Sequence, residues 1–322
     1  MTAKNLGWND FFEDQLKTSD LSLIRARVSR QNTDHLMLLS EIGELTGILP
    51  GKFKGKEKED LPTIGDWVLA RKPEHLERSK VLIERVLARR NVLARTGVGQ
   101  EKRQQLMAAN IDRVFIVSGL DKEFNPRKIE RYLLLCWSLG LEPVIVLNKA
   151  DLIKNPESAL KKARAIAGEV PILFLSTLTR TGEETFLSHF KAGSTNIFLG
   201  SSGVGKSSIS NMILGHENFL TGPVREKDGK GRHTTSYREL ILTDHNFVII
   251  DTPGMRGLQI LRENISLDAF QDILDLTKNC KFSDCAHLSE PDCALKQAEE
   301  TGLITSQRLH QFRILSNPRE IP

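Results

Sequence analysis

The stretch Gly200-Ser201-Ser202-Gly203-Val204-Gly205-Lys206-Ser207-Ser208 holds the clearest chemistry in this 322-residue sequence. Its glycines let successive backbone N–H groups turn toward one anion, Lys206 reaches the β and γ oxygens of a triphosphate, and the Ser207 hydroxyl is placed to ligate Mg²⁺. Such a loop carries this meaning only between a strand and a helix. An apolar run, Asn196 to Leu199, precedes it and a helical pattern from Lys206 to Leu214 follows, so the stretch reads as a P-loop.

Two other loops complete a nucleotide site. Asp251-Thr-Pro-Gly254 follows the run Asn246 to Ile250, where a carboxylate at a strand end holds Mg²⁺ through water and the Gly254 N–H meets a γ-phosphate. Asn148-Lys149-Ala150-Asp151 follows another apolar run. Asp151 can accept from both the ring N–H and the exocyclic amine of guanine, a pair that adenine lacks. Lys149 would lay its aliphatic stem along the base, and Ser176, ending the next strand in Ser176-Thr177, sits where a backbone N–H could read the guanine oxygen. GTP is therefore expected over ATP.

The order of these loops is unusual. GTPases ordinarily run P-loop, switch threonine, Asp-x-x-Gly, Asn-Lys-x-Asp and then the serine loop, whereas here the last two come first, at 148 and 176. The sequence is a circular permutation of a GTPase, which a domain tolerates when its termini lie close together at the surface. Its consequence is that Asp251 leads straight into the C-terminal part of the chain.

Between the P-loop helix and the next strand, residues 225–238 are glycine-bearing and charged, as a first switch requires. Thr234 or Thr235 is expected on Mg²⁺ and the γ-phosphate. The residue after Asp-x-x-Gly, often glutamine in GTPases, is Met255, which cannot orient water. Slow intrinsic turnover is expected, with His233 or a group from a partner supplying the missing function. The residues expected to act on the triphosphate are thus Lys206, His233, Thr234, Thr235, Asp251 and Gly254.

Cys280-x4-Cys285-x-His287-x5-Cys293 gathers three thiolates and an imidazole in one short segment. Four such ligands fill a tetrahedral Zn²⁺ shell with no position left for water, so a structural zinc site is expected. Cys136, in the apolar stretch Leu133 to Trp137, reads as a core residue.

The elements that must position these loops follow from the hydrophobic pattern. Trp8, Phe11, Phe12 and Leu16 suit one face of a short docked helix. From Leu21, short apolar pieces punctuated by glycine and proline argue for a small β-barrel or sandwich. After Gln104 strands alternate with helices, predicting an open parallel sheet covered on both faces. The expected division is 1–20 helical segment, 21–103 barrel, 104–259 GTPase and 260–322 Cys-bearing helical module, the last helix presenting Leu309, Phe312 and Leu315 on one side.

Composition, with 39% hydrophobic and 27% charged residues, is that of a globular protein. No apolar run approaches the ~18 residues of a membrane span, and the first residues read as neither signal nor transit peptide. A cytosolic protein without a membrane partner is expected. The net charge of +4 is an average: residues 21–103 carry 17 Lys and Arg against 11 Asp and Glu, and the rest 28 against 30. The basic loop Lys52 to Lys58, with Arg71, Lys72, Arg89 and Arg90, offers phosphate contacts, and Phe53 or Trp67 could stack on a base.

These motifs, together with Gly65-Asp-Trp-Val68, Ala108-Ala-Asn-Ile-Asp112 and Gly231-Arg-His-Thr-Thr235, resemble the RsgA family of circularly permuted, small-subunit-dependent GTPases, also called YjeQ or YloQ. The resemblance covers nearly the whole chain. It implies an N-terminal OB-fold, a permuted GTPase domain, a C-terminal zinc domain, and GTP hydrolysis in late maturation of the small ribosomal subunit, with its rRNA as partner and the chain acting as a monomer. The alternative from the residues alone is a GTP-gated RNA-binding chaperone whose partner is not the ribosome.

Overall fold

The computed structural model describes residues 1–74, 77, 79–96, 104–122, 124–215, 238–251, 267 and 270–316. The chain opens with a four-residue helix, α1 (Asp10–Glu13), and enters a closed barrel of β1 (Ile24–Gln31), β2 (Leu36–Ser40), β3 (Gly43–Ile48), β4 (Trp67–Arg71) and β5 (Lys80–Val86), ordered β1-β2-β3-β5-β4. Strand side chains alternate between faces. Ala26, Val28, Val68, Ala70, Val81 and Ile83 therefore fill the barrel, while Trp67 and Leu69 face outward and join Trp8 and Phe12 in a second core. Trp8 meets Trp67 edge to face, with centroids 4.8 Å apart.

The N-terminal segment thus docks as expected, with two corrections: the helix spans only Asp10–Glu13, so Trp8 and Leu16 lie outside it, and Phe11 does not share the buried face. Adjacent residues on a helix point ~100° apart, so Phe12 is buried and Phe11 is 40% exposed. Arg27 pins the segment down. Wholly buried, it donates to the carbonyls of Leu6, Gly65 and Asn110, one each from the N-terminal segment, the barrel and the entry to the next domain. Burial lowers its pKa to about 10.

A two-stranded ribbon, β6 (Val92–Thr96) with β7 (Gln104–Ala109), follows the barrel; the 103/104 division falls inside it. Gly65, at φ +88°, lies beneath Ala109, where any Cβ would come within 2.2 Å of its carbonyl oxygen. Only glycine lets the ribbon pack this closely on the barrel.

The GTPase-like unit runs β8 (Arg113–Gly119), α2 (Pro126–Ser138), β9 (Glu142–Asn148), α3 (Glu157–Ala167), β10 (Ile172–Leu175), α4 (Glu183–Leu187), β11 (Thr195–Leu199), α5 (Lys206–Leu214), β12 (Glu239–Leu242) and β13 (Val248–Asp251). The sheet order is β10-β9-β8-β11-β13-β12. Ile116, Ile145 and Ile250 face α2 and α3 on one side, and Phe115, Val146 and Phe198 face α4 and α5 on the other. All pairings are parallel but one: β12 runs antiparallel to β13, a departure from the all-parallel expectation that an edge strand permits.

Three helices, α6 (Gln271–Thr277), α7 (Ala294–Glu300) and α8 (Ser306–Ser316), form the C-terminal part. Leu309, Phe312 and Leu315 of α8 are all buried. Among the described residues no helix is long and apolar enough to cross a membrane.

A candidate nucleotide site and a cysteine-histidine cluster

Parallel pairing brings the expected loops to one edge of the sheet. Gly119 pairs with Asn148, Leu175 with Asn148, and Leu199 with Ile116, so the carboxyl ends of β8, β9, β10 and β11 lie side by side. The chain leaves the central strand β8 toward β10, then returns to β11 on its other side. That reversal opens the crevice where doubly wound sheets bind ligands, and the Gly200–Ser208 loop stands in it.

Glycines shape the loop for a reason of space. A Cβ at Gly200 would sit 2.3 Å from the Val117 carbonyl oxygen, and one at Gly205, at φ +99°, only 2.2 Å from Asn148 Nδ2. Asn148 is buried and donates through Nδ2 to the Val204 carbonyl at 2.8 Å. Its task is to bond the Asn-Lys-Ala-Asp loop to the phosphate loop. Lys206 opens α5 with its ammonium on the carbonyls of Gly200 and Ser201, at 2.9 and 2.8 Å. Burial lowers its pKa to about 8, against the opposing pull of Asp251. A half-buried cation at the head of a glycine-shaped loop suits a polyphosphate.

At the base side, Lys149 adopts a left-handed backbone and its Nζ pairs with Asp121 at 2.6 Å. The Ser176 hydroxyl donates to Asp151 Oδ1. The Ser176 backbone N–H donates to the Thr181 carbonyl at 3.0 Å, so it is the hydroxyl of Ser176 that turns toward the Asn-Lys-Ala-Asp loop. Asp121 was missed by sequence reasoning, although a carboxylate two residues past a buried strand was a usable signal.

Asp251 ends β13, 5% exposed. The expected site residues His233, Thr234, Thr235 and Gly254, with Met255, lie outside the described residues. A cavity of about 560 Å³ opens between the N-terminal segment and the opposite edge of the sheet, lined by Lys4, Trp8, Arg90, Arg113 and Lys191; it is remote from these loops.

The barrel side chains need two corrections. Trp67 is 1% exposed and Phe53 7%, both packed in cores, so neither can stack on a base. Arg89 clamps buried Asp66 with two bonds of 2.8 Å, Arg90 pairs with Asp112, and Lys52 and Arg71 share Glu84.

Cys280, Cys285, His287 and Cys293 bring four ligand atoms within 4.8 Å of one another. The Sγ atoms of Cys280 and Cys293 each lie 3.5 Å from His287 Nδ1. Tetrahedral Zn²⁺, with bonds of about 2.3 Å to sulfur and 2.0 Å to nitrogen, separates S and N by about 3.5 Å. The donor set and spacing fit that ion, with Nδ1 as the imidazole ligand. Glu290 shapes the turn by accepting from the N–H groups of Ala286, Leu288 and Ser289. Its own N–H, then that of Ala286, hold its carboxyl down at about 2. Desolvation and then the neighbouring Cys293 and Cys280 push the Cys285 thiol up to about 11, a penalty that a bound dication reverses.

The barrel, the permuted loop order and the cysteine-histidine module together define a circularly permuted P-loop GTPase. The sequence profile of the RsgA GTPase family matches residues 86–261. Full-length relatives agree. The small ribosomal subunit biogenesis GTPase RsgA of Opitutus terrae is 37% identical across 98% of this chain and 89% of its own length; that of Methanosarcina acetivorans is 36% identical across 97% and 84%. The crystal structure of YjeQ from Thermotoga maritima superposes with a TM-score of 0.61 at 28% identity, covering 93% of this chain and all of that one. YloQ, a circularly permuted GTPase, gives 0.59 over 95% and 99% at 22% identity and supports the fold alone. This chain belongs to the RsgA GTPase family and is a GTPase, which implies Mg²⁺ with its GTP.

Proposed function

We propose that the chain hydrolyses GTP on the small ribosomal subunit during late assembly, in the cytoplasm and as a monomer, touching rRNA through its barrel and its C-terminal module. The observation that carries this reading is that relatives named for small-subunit biogenesis align across 98% of the chain, flanking modules included. The proposed division is 1–20, 21–103, 104–259 and 260–322.

In this reading Gly200 to Ser208 cradle the phosphates, Lys206 neutralises the β and γ oxygens, and Ser207 and Asp251 hold Mg²⁺ directly and through water. Asp151 selects guanine, with Lys149 along the base. Because the Ser176 N–H is engaged, the guanine oxygen falls to the N–H groups of Thr177 and Leu178. Thr234 or Thr235 and Gly254 sense the γ-phosphate. Met255 leaves the attacking water without an orienting side chain, so His233 or a ribosomal group completes the site. Cys280, Cys285, His287 and Cys293 hold a structural zinc. On the barrel, exposed Lys54, Lys56 and Lys72 contact rRNA phosphates.

The test is turnover with purified small subunits, large subunits and free structured RNA. Selective acceleration by small subunits supports the reading; equal acceleration by any RNA would replace it with a GTP-gated RNA chaperone.

A further inference from the structure

Arg30 should point into the barrel. It lies two residues beyond Val28 and four beyond Ala26, both inside, and strict alternation would bury its charge there. The β1–β2 register shifts between Val28 and Arg30. A one-residue bulge flips the following side chain to the other face, and Arg30 emerges outside, paired with Glu239 of β12.

Glu239 is the first residue of β12, and its register partner on β13 is Asp251. Residues directly opposite in an antiparallel pair project from the same face with Cβ atoms about 5 Å apart, and like charges so placed repel. Arg30 neutralises the nearer carboxylate of that pair. The preceding residue, Arg238, donates to the carbonyls of Leu106 and Met107 on β7 at 3.1 and 3.2 Å. The strand facing Asp251 is therefore held from outside, by the barrel and by the ribbon.

We propose that Arg30, Glu239 and Arg238 are positioning residues for the triphosphate side of the site, coupling the barrel to the nucleotide through the strand opposite Asp251. This rests on Asp251 serving the Mg²⁺ and γ-phosphate side of the site. When Arg30 withdraws, the unbalanced Glu239 charge stands beside a site that must accept a further phosphate charge, and it disfavours triphosphate more than diphosphate. The coupling is reciprocal. Whatever displaces the barrel lowers the preference for GTP, and the nucleotide bound changes how the barrel is held.

The experiment compares affinities for GDP and for a Mg²⁺-bound, non-hydrolysable GTP analogue in the full-length chain. Arg30→Ala is expected to lower the triphosphate-over-diphosphate preference roughly fivefold, the lower end of measured couplings. Glu239→Gln is expected to shift it the opposite way and, in the Arg30→Ala background, to restore it. A merely structural loss would give neither reversal nor rescue. Arg30→Ala within twofold of the parent, or a double variant no better than Arg30→Ala, would overturn the inference. Asp251→Asn tells the two failures apart: if it leaves the Mg²⁺-dependent preference intact, the reading of Asp251 fails and the coupling with it. If it abolishes that preference while Arg30→Ala is silent, the coupling alone fails.

Discussion

Asn148 Nδ2 donates to the Val204 carbonyl at 2.8 Å, so the loop that follows β9 and the loop that follows β11 are tied together at the sheet edge. Removing the amide leaves a buried carbonyl unpaired, which costs about 1–3 kcal/mol. Asn148→Ala is expected to weaken GDP and GTP alike, because it loosens base and phosphate recognition together. Titration with both nucleotides checks this; a loss confined to one of them would refute the shared role.

The N-terminal segment is held by Trp8 and Phe12 in the core and by one buried cation. Arg27 satisfies three carbonyls from three parts of the chain, and its charge remains at neutral pH because burial brings its pKa only to about 10. Arg27→Met should destabilise the protein by about 2 kcal/mol or more, since the Leu6 and Asn110 carbonyls lose their donor at ~1–3 kcal/mol each, while the Gly65 carbonyl keeps Asn110 Nδ2. A denaturant midpoint unchanged from the parent would show that the three segments hold together without it.

How far the sequence led is visible in particular residues. The P-loop, Asp151 and the cysteine cluster were legible because each chemistry fixes residue types at fixed spacing, and the strands were legible from period-two or continuous apolar runs. Arg30 and Arg27 were not. Both look like ordinary surface arginines in a basic strand, and only the bulge at one and the convergence of three carbonyls on the other give them roles. At Ser176 the strand end was readable but the donor was not: Thr181 had to be placed before the Ser176 N–H could be seen as occupied. Trp67 and Phe53 looked like stacking platforms because composition cannot tell an aromatic on a barrel's surface from one in its cores.

Metal removal should act locally first. The His287 ring lies 6.1 Å from that of Phe312 on α8, and Phe312 in turn meets Phe270 at 6.0 Å. Stripping zinc with a chelator is therefore expected to loosen the ligand turn, and with it α7 and α8, before the sheet, because the metal would tie four side chains of that short segment together. Amide exchange followed with and without chelator reads this directly. Cobalt substitution should give the visible bands of a tetrahedral thiolate site, and a metal content of zero in the purified protein would reject it.

On the barrel, the corrected geometry separates two kinds of arginine and lysine. Replacing Lys54, Lys56 and Lys72 with Gln should lessen the slope of log affinity for small subunits against log salt by roughly 2, at about 0.7 for each phosphate no longer neutralised, and leave the barrel folded. Arg89→Gln should instead destabilise the barrel, since Asp66 is wholly buried against it. An unchanged salt slope in the lysine variant would move the RNA-binding surface elsewhere.

Lys206 supplies a pH signature. Burial lowers its pKa from 10.5 to about 8, so in the free protein the ammonium loses its proton as pH rises through 8. Folded, it binds fewer protons there than it would unfolded, and its contribution to stability accordingly rises between about pH 8 and 10.5. Nucleotide affinity runs the other way. The phosphates favour the charged form, so GTP binding above pH 8 must take up a proton and weaken as pH climbs. Calorimetry near pH 8.5 in buffers of different ionisation enthalpy should show that uptake, and Lys206→Arg, which does not titrate in this range, should abolish it. Binding enthalpies independent of buffer would mean that Lys206 stays charged in the free protein, held so by the Gly200 and Ser201 carbonyls and by Asp251.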